Sequence, residues 1–224
     1  MPSQKKILMV VTNKDRLDST HPTGLWLEEF ATPYLAFLEA GLEITVSSPL
    51  GGIAPLDPRS VDATNHVEWI KAKKVLHHTK PLQEIEDSDF DAIILPGGHG
   101  PMFDLSTNRI LSKMLQRSMI DQKVIGAICH GPAGLVGTIL PNGLPLVSGR
   151  HITGFTNVEE VSVHLNKLVP FLLETRLKEL GAKFTSANPW KDHIVIDQNL
   201  ITGQNPQSSD SFAKAIVQHL QTVQ

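Results

Sequence analysis

The chain has one cysteine, one tyrosine and only 5% aromatic residues in 224. A lone cysteine excludes an internal disulfide, and a reducing cytoplasm is then the expected compartment. No charge of one sign dominates: 20 Lys and Arg stand against 23 Asp and Glu, for a formal net charge of −3. The basic residues are scattered apart from short clusters such as Lys71–Lys74, so no nucleic-acid partner is expected. Long hydrophobic runs are missing as well. The first apolar run has about five residues, too few for a signal-peptide core, and none approaches the ~20 of a membrane span. There is no Gly-x-Gly-x-x-Gly, P-loop, His-x-x-x-His or Cys/His cluster, so neither a nucleotide cofactor nor a metal is assigned. Repeats and low-complexity segments are absent too.

What is there suits one α/β domain over residues 1–224, since 41% hydrophobic content can bury a sizeable core. Continuous apolar runs at 6–12, 42–47, 91–95 and 123–128 read as buried parallel strands. Helical spacing follows the first of them, with Leu27, Phe30, Ala31, Tyr34, Leu35 and Leu38 on one face and Gly41 as the stop. Pro33 lies inside that pattern and either kinks the helix or starts it. Further helices are expected weakly at 61–77 and more firmly at 108–121, 132–140, 171–180 and 208–220. Short strand material is expected within 144–155 and at 183–186, with a hairpin joining 193–196 to 200–202. The alternation implies a doubly wound, mostly parallel sheet flanked by helices, flavodoxin-like, with ligands beyond the carboxyl ends of its strands.

Cys129 sits at such an end. In Lys123-Val-Ile-Gly-Ala-Ile-Cys-His-Gly-Pro-Ala-Gly134 an apolar strand runs into small residues and a helix start, the layout of a nucleophile elbow. A free cysteine is often just a small buried hydrophobe. Here Val124, Ile125 and Ile128 already supply the strand, and His-Gly-Pro is poor material for continuing it. The unpaired N–H groups of the following helical turn are expected to lower the thiol pKa.

Several segments together carry a resemblance: Gly24-Leu-Trp-Leu-Glu-Glu29 with Pro33, Pro96-Gly-Gly-His-Gly100, Ala127-Ile-Cys-His-Gly-Pro132, Ile152-Thr-Gly-Phe-Thr156 and Leu200-Ile-Thr-Gly-Gln-Asn-Pro206. In order and spacing they resemble the ThiJ/PfpI superfamily, with its class I glutamine amidotransferase-like fold. The branch resembled is that of stress chaperones with glutathione-independent glyoxalase III activity. The resemblance implies Cys129 as nucleophile, His130 as its catalytic neighbour, Glu160 as the acidic third member and Glu29 as a glutamate reaching the sulfur from the first helix. Glu28 and Glu159 are the off-by-one alternatives. It also implies a homodimer, a small 2-oxoaldehyde substrate, unfolded polypeptides as further partners, and no cofactor.

On that reading Glu29 is protonated while Cys129 is ionised, because two adjacent anions would repel. The Gly98 and His130 amides are the candidate oxyanion donors, with Gly98 small so that sulfur stays accessible. Adjacent side chains of an extended chain point apart, so His130 reaches the sulfur only if the turn is sharp. His99 is the substitute base. The expected reaction converts methylglyoxal to a D-lactate-type 2-hydroxy acid through a hemithioacetal, an enediol and a thioester. Two other readings stand beside it: a chaperone or redox sensor oxidised at Cys129, and an amidase or peptidase. A glutaminase would need a downstream His-x-Glu, whereas His193 is followed by Ile-Val and His219 by Leu-Gln.

Overall fold

The central strands are apolar on both faces because both faces are covered. Ile7 to Val11 are fully buried, as are Ala92, Ile94 and Leu95. The computed structural model describes residues 4–61 and 66–222. Its strands are β1 (Lys6–Val10), β2 (Glu43–Ser48), β3 (Lys80–Pro81), β4 (Ala92–Leu95), β5 (Val124–Ile128), β6 (His151–Ile152), β7 (Lys183–Phe184), β8 (Ile194–Asp197) and β9 (Leu200–Gly203). Seven of them form one sheet in the order β3-β2-β1-β4-β5-β9-β8, and β6 pairs with β7 separately. All pairings in the large sheet are parallel except β8 with β9. Gln198 takes a left-handed φ of 56° in that β8–β9 turn.

The helices are α1 (Leu27–Glu39), α2 (Pro58–Val61), α3 (Ile70–Val75), α4 (Leu82–Ile85), α5 (Pro101–Asp104), α6 (Arg109–Ile120), α7 (Asn157–Ser162), α8 (Leu173–Glu179) and α9 (Ser209–Thr222). α1 and α9 pack against each other and α9 also against β5 and β9, while α6 packs on β4 and β5. Phe30 and Phe37 of α1 and Phe212 of α9 are fully buried, each stabilising the fold by about 1.5–3 kcal/mol. Among the described residues no helix is long and apolar enough to cross a membrane.

Pro33 does not break α1, which runs through it. It lacks the N–H that would bond the Glu29 carbonyl one turn earlier. The helix expected over 132–140 is instead a single 3-10 turn, Gly131–Leu135. Its continuation is cut off by a tight loop closed by the Leu140 N–H on the Leu144 carbonyl at 2.8 Å, with Gly143 at φ 81°. Within 144–155 only His151–Ile152 is strand. Of the helix expected over 61–77, the structure has a 3-10 turn at Val67–Trp69 and then α3, while 62–65 lie outside the described residues.

Candidate active site

The turns after β4 and β5 meet the start of α1 at the carboxyl ends of the central strands. Cys129 follows β5 with φ 59°, a left-handed conformation costly for a residue with a Cβ. Two backbone bonds hold it there: its N–H donates to the Gly203 carbonyl at 2.9 Å, and its own carbonyl accepts from Phe155 N–H at 2.8 Å. His130 then takes φ −89° and ψ −3°, the sharp turn that brings its Nδ1 to 3.4 Å from the Cys129 sulfur. His99 does not take that place. Its ring lies beside that of His130, 4.0 Å between centroids, with its nitrogens engaged elsewhere.

Both rings converge on one carboxylate. His130 Nε2 lies 2.7 Å from Glu160 Oε2, and His99 Nε2 lies 2.8 Å from Glu160 Oε1. Burial would raise the Glu160 pKa, but the His130 ring, and after it the hydrogen bond from His99, pull it well below the carboxylate range. On the far side of His99, Arg59 Nη2 approaches Nδ1 at 3.3 Å. A guanidinium only donates, so Nδ1 accepts and the His99 proton sits on Nε2, facing Glu160. Arg59 is itself fixed by Asp57, through Nε at 2.9 Å and Nη2 at 2.6 Å. Burial first, and then the adjacent His130, lower the His99 pKa to about 4, so this ring is neutral. The ligand atoms of His99, His130 and Glu160 lie within 4.8 Å of one another, but the approaching nitrogens are already bonded to the carboxylate.

Glu29 enters from the first turn of α1, fully buried. Its Oε2 accepts the Gly97 N–H at 3.0 Å, and its Oε1 has no hydrogen-bond partner among the described residues. Burial pushes its pKa well up, so it is protonated. A Cβ on Gly97 would sit 2.5 Å from Glu29 Oε2, so this close approach needs glycine. Glu28, the alternative, is half-buried and lies within the influence of His66 instead.

Two expectations change. The Cys129 thiol is not acidified: burial, and then the Glu29 carboxyl, push its pKa well up, while the Gly98 N–H works against this. The turn that follows is five residues of 3-10 helix, which provides little dipole to offset burial. Gly98 is glycine for a different reason as well. At φ 85° its Cβ would run into the Gly24 carbonyl and the Trp26 nitrogen, not into the approach to sulfur.

A cavity of about 270 Å³ opens over the sulfur, walled by Trp26, Phe155, Val163 and Trp190, with Arg59 at its edge. A larger groove of about 640 Å³ lies among Lys5, Asp91, Lys123 and Arg150, where the cations are paired with Asp91 and Asp197. Arg59, Asp57, Trp190 and the engagement of His99 by Glu160 were not read from sequence. The only local trace of the Asp57–Arg59 pair is Asp57-Pro58 ahead of a one-turn helix.

The chain is similar to known proteins along most of its length. The glutathione-independent glyoxalase HSP31 of Saccharomyces cerevisiae is 29% identical, over 93% of this chain and 95% of its own. The crystal structure of glyoxalase III from Candida albicans superimposes with a TM-score of 0.85 at 27% identity, covering 96% of this chain and 97% of that one. Rapid Encystment Protein 24 kDa of Francisella tularensis gives 0.92 at 38% identity, covering 97% and 99%. The family model described as DJ-1/PfpI matches residues 23–219, a span holding every side chain of the site just described. This chain belongs to the DJ-1/PfpI family.

Proposed function

We propose that this protein is a glutathione-independent glyoxalase that converts methylglyoxal and related 2-oxoaldehydes to 2-hydroxy acids, with Cys129 as nucleophile. The observation that carries the reading is the buried sulfur 3.4 Å from His130 Nδ1, with Nε2 of the same ring on Glu160, beneath an apolar cavity. Relatives named glutathione-independent glyoxalase over most of the chain support it.

The thiol is neutral at rest, so His130 Nδ1 takes its proton as sulfur adds to the aldehyde carbon C1. Glu160 stabilises the imidazolium that forms. The oxygen on C1 lies towards the Gly98 N–H and receives the proton from His130, completing a hemithioacetal. His130 then removes the hydrogen on C1 while the electron pair moves to the C2 carbonyl, whose oxygen takes the Glu29 proton. The same hydrogen returns from His130 to C2, and the hydroxyl on C1 gives its proton back to Glu29, leaving a thioester. Water cleaves the C1–S bond with His130 as base, and the thiol is restored. C1 has been oxidised and C2 reduced, and the net change is addition of one water. The test is methylglyoxal with purified protein and no glutathione: lactate should form and the Cys129→Ala protein should form none. Absence of lactate, or its formation by the variant, overturns the reading.

A further inference from the structure

Glu159, the neighbour of the carboxylate used by the histidines, is fully buried and receives five hydrogen bonds. Two come from Thr156, whose N–H and Oγ1 reach Oε2 at 3.0 and 2.7 Å in the capping box that starts α7. Such a box needs one carboxylate oxygen. The other, Oε1, gathers donors from two remote segments: Trp190 N–H at 2.9 Å, Gln204 Nε2 at 3.1 Å and Asn205 Nδ2 at 2.8 Å. Asn205 Nδ2 also reaches the Lys191 carbonyl at 3.0 Å, and Gln204 Oε1 accepts the Ala187 N–H at 2.9 Å. One buried carboxylate therefore ties the 187–191 segment to α7 and to the end of β9.

That segment carries Trp190 at φ 61°, which a bulky side chain adopts only when its surroundings impose it. Its ring meets Phe155 edge-on at 5.6 Å, and Phe155 lies 4.4 Å from His130. Trp190 is thus a cavity wall placed through its own backbone N–H. The cavity, about 270 Å³, has room for roughly nine waters at ~30 Å³ each. Methylglyoxal, with five non-hydrogen atoms, leaves much of it unfilled; an aryl 2-oxoaldehyde would reach the wall.

We infer that Glu159 is a specificity-determining positioning residue, whose buried carboxylate sets Trp190 as the wall against which the apolar substituent of a larger 2-oxoaldehyde packs. This rests on the glyoxalase reading above. The charge of Glu159 also acts on the Cys129 thiol, but thiol chemistry is common to all substrates and cancels in a ratio between two of them.

The experiment compares kcat/KM for phenylglyoxal and methylglyoxal in the parent, Glu159→Gln, Trp190→Ala and the double variant. Glutamine keeps the shape of glutamate but lacks its full set of acceptors. Each single variant should lower the phenylglyoxal to methylglyoxal ratio about tenfold, the discrimination that one lost apolar contact gives, mainly through KM for phenylglyoxal. The double variant should lower it no further, because both changes remove the same wall. An unchanged ratio in either single variant, or additive losses in the double one, overturns the inference. Should Glu159→Gln fail to fold, Glu159→Asp, whose shorter side chain cannot hold Thr156 and the Trp190 N–H together, takes its place and the same outcomes decide. If the parent turns over neither substrate, the glyoxalase reading has failed. Binding of mandelate, followed by tryptophan fluorescence, then tests the wall by itself: weaker binding by Glu159→Gln supports it and equal binding overturns it.

Discussion

Replacing Glu29 by glutamine should uncover a pH dependence of stability that the parent protein hides in part. His99 is held at about 4 against an ordinary 6.5. Between those values an unfolded chain binds a proton that the folded chain refuses, so stability falls as pH falls, by about 1.4 kcal/mol per unit. The displacement, 6.5 − 4 = 2.5 units, is worth about 3.4 kcal/mol in all, and roughly 2 kcal/mol of it falls between pH 5 and pH 7. Glu29 acts with the opposite sign. Its folded pKa lies well above 4.5 through burial, so above pH 4.5 the folded chain keeps a proton the unfolded chain has lost, and stability falls as pH rises. The two groups therefore oppose each other wherever both titrations are in play, and the parent shows less than the full His99 effect. Glu160, with its pKa pulled below 4.5, adds stability that is lost only as pH falls through that lower range. Glutamine removes the Glu29 titration and keeps an acceptor for the Gly97 N–H. Urea unfolding of both proteins at pH 5, 6 and 7 should show the stability of Glu29→Gln rising by roughly 2 kcal/mol across the series, the His99 share, with a smaller rise in the parent. Parallel curves would refute the reasoning, because Glu29 would then be ionised in both states.

Three further outcomes are expected. Glu160→Gln removes the charge that supports the His130 imidazolium, so kcat for methylglyoxal should fall by about 10²–10⁴, while its circular dichroism matches the parent; a loss below tenfold would remove Glu160 from the proton path. Arg59→Met frees Nδ1 of His99 and removes a cation that lowers its pKa, so the acid limb of the pH–rate profile should move to higher pH, and an unmoved limb would show that Arg59 does not set the state of His99. The buried, unacidified thiol should react with iodoacetamide at pH 7 more slowly than free cysteine, and faster alkylation would restore the thiolate expectation.

The central strands were legible as apolar runs, those at 42–47 and 91–95 stopped by proline, and the hairpin joining 193–196 to 200–202 because Gln198-Asn199 suits a tight turn; β3, two residues long, left no such run. The elbow was legible in the small residues around Cys129. The choice between Glu159 and Glu160 was not, because one step along a helix turns a side chain by about 100°, and both proved buried with separate tasks. His99 looked like a spare base because its contact with Glu160 spans 61 residues. Arg59 depends on a contact over 40 residues that leaves no periodic trace. The thiol pKa was misjudged because a helix start was inferred where only a short 3-10 turn forms, and burial then dominates.

The chain from Cys129 through His130, Glu160 and His99 ends on Arg59, and that ending gives it a direction. Arg59 has protons to offer and no lone pair to receive one, so nothing leaves through Nδ1 of His99. On the proposed mechanism a proton taken from sulfur therefore stops on His130, beside an ionised Glu160, and leaves it only for the substrate. On its protein side the relay has no outlet past Arg59, and its only opening is the cavity over the sulfur. For a rearrangement that returns a hydrogen to the same molecule one carbon away, this confinement favours internal return over exchange with water.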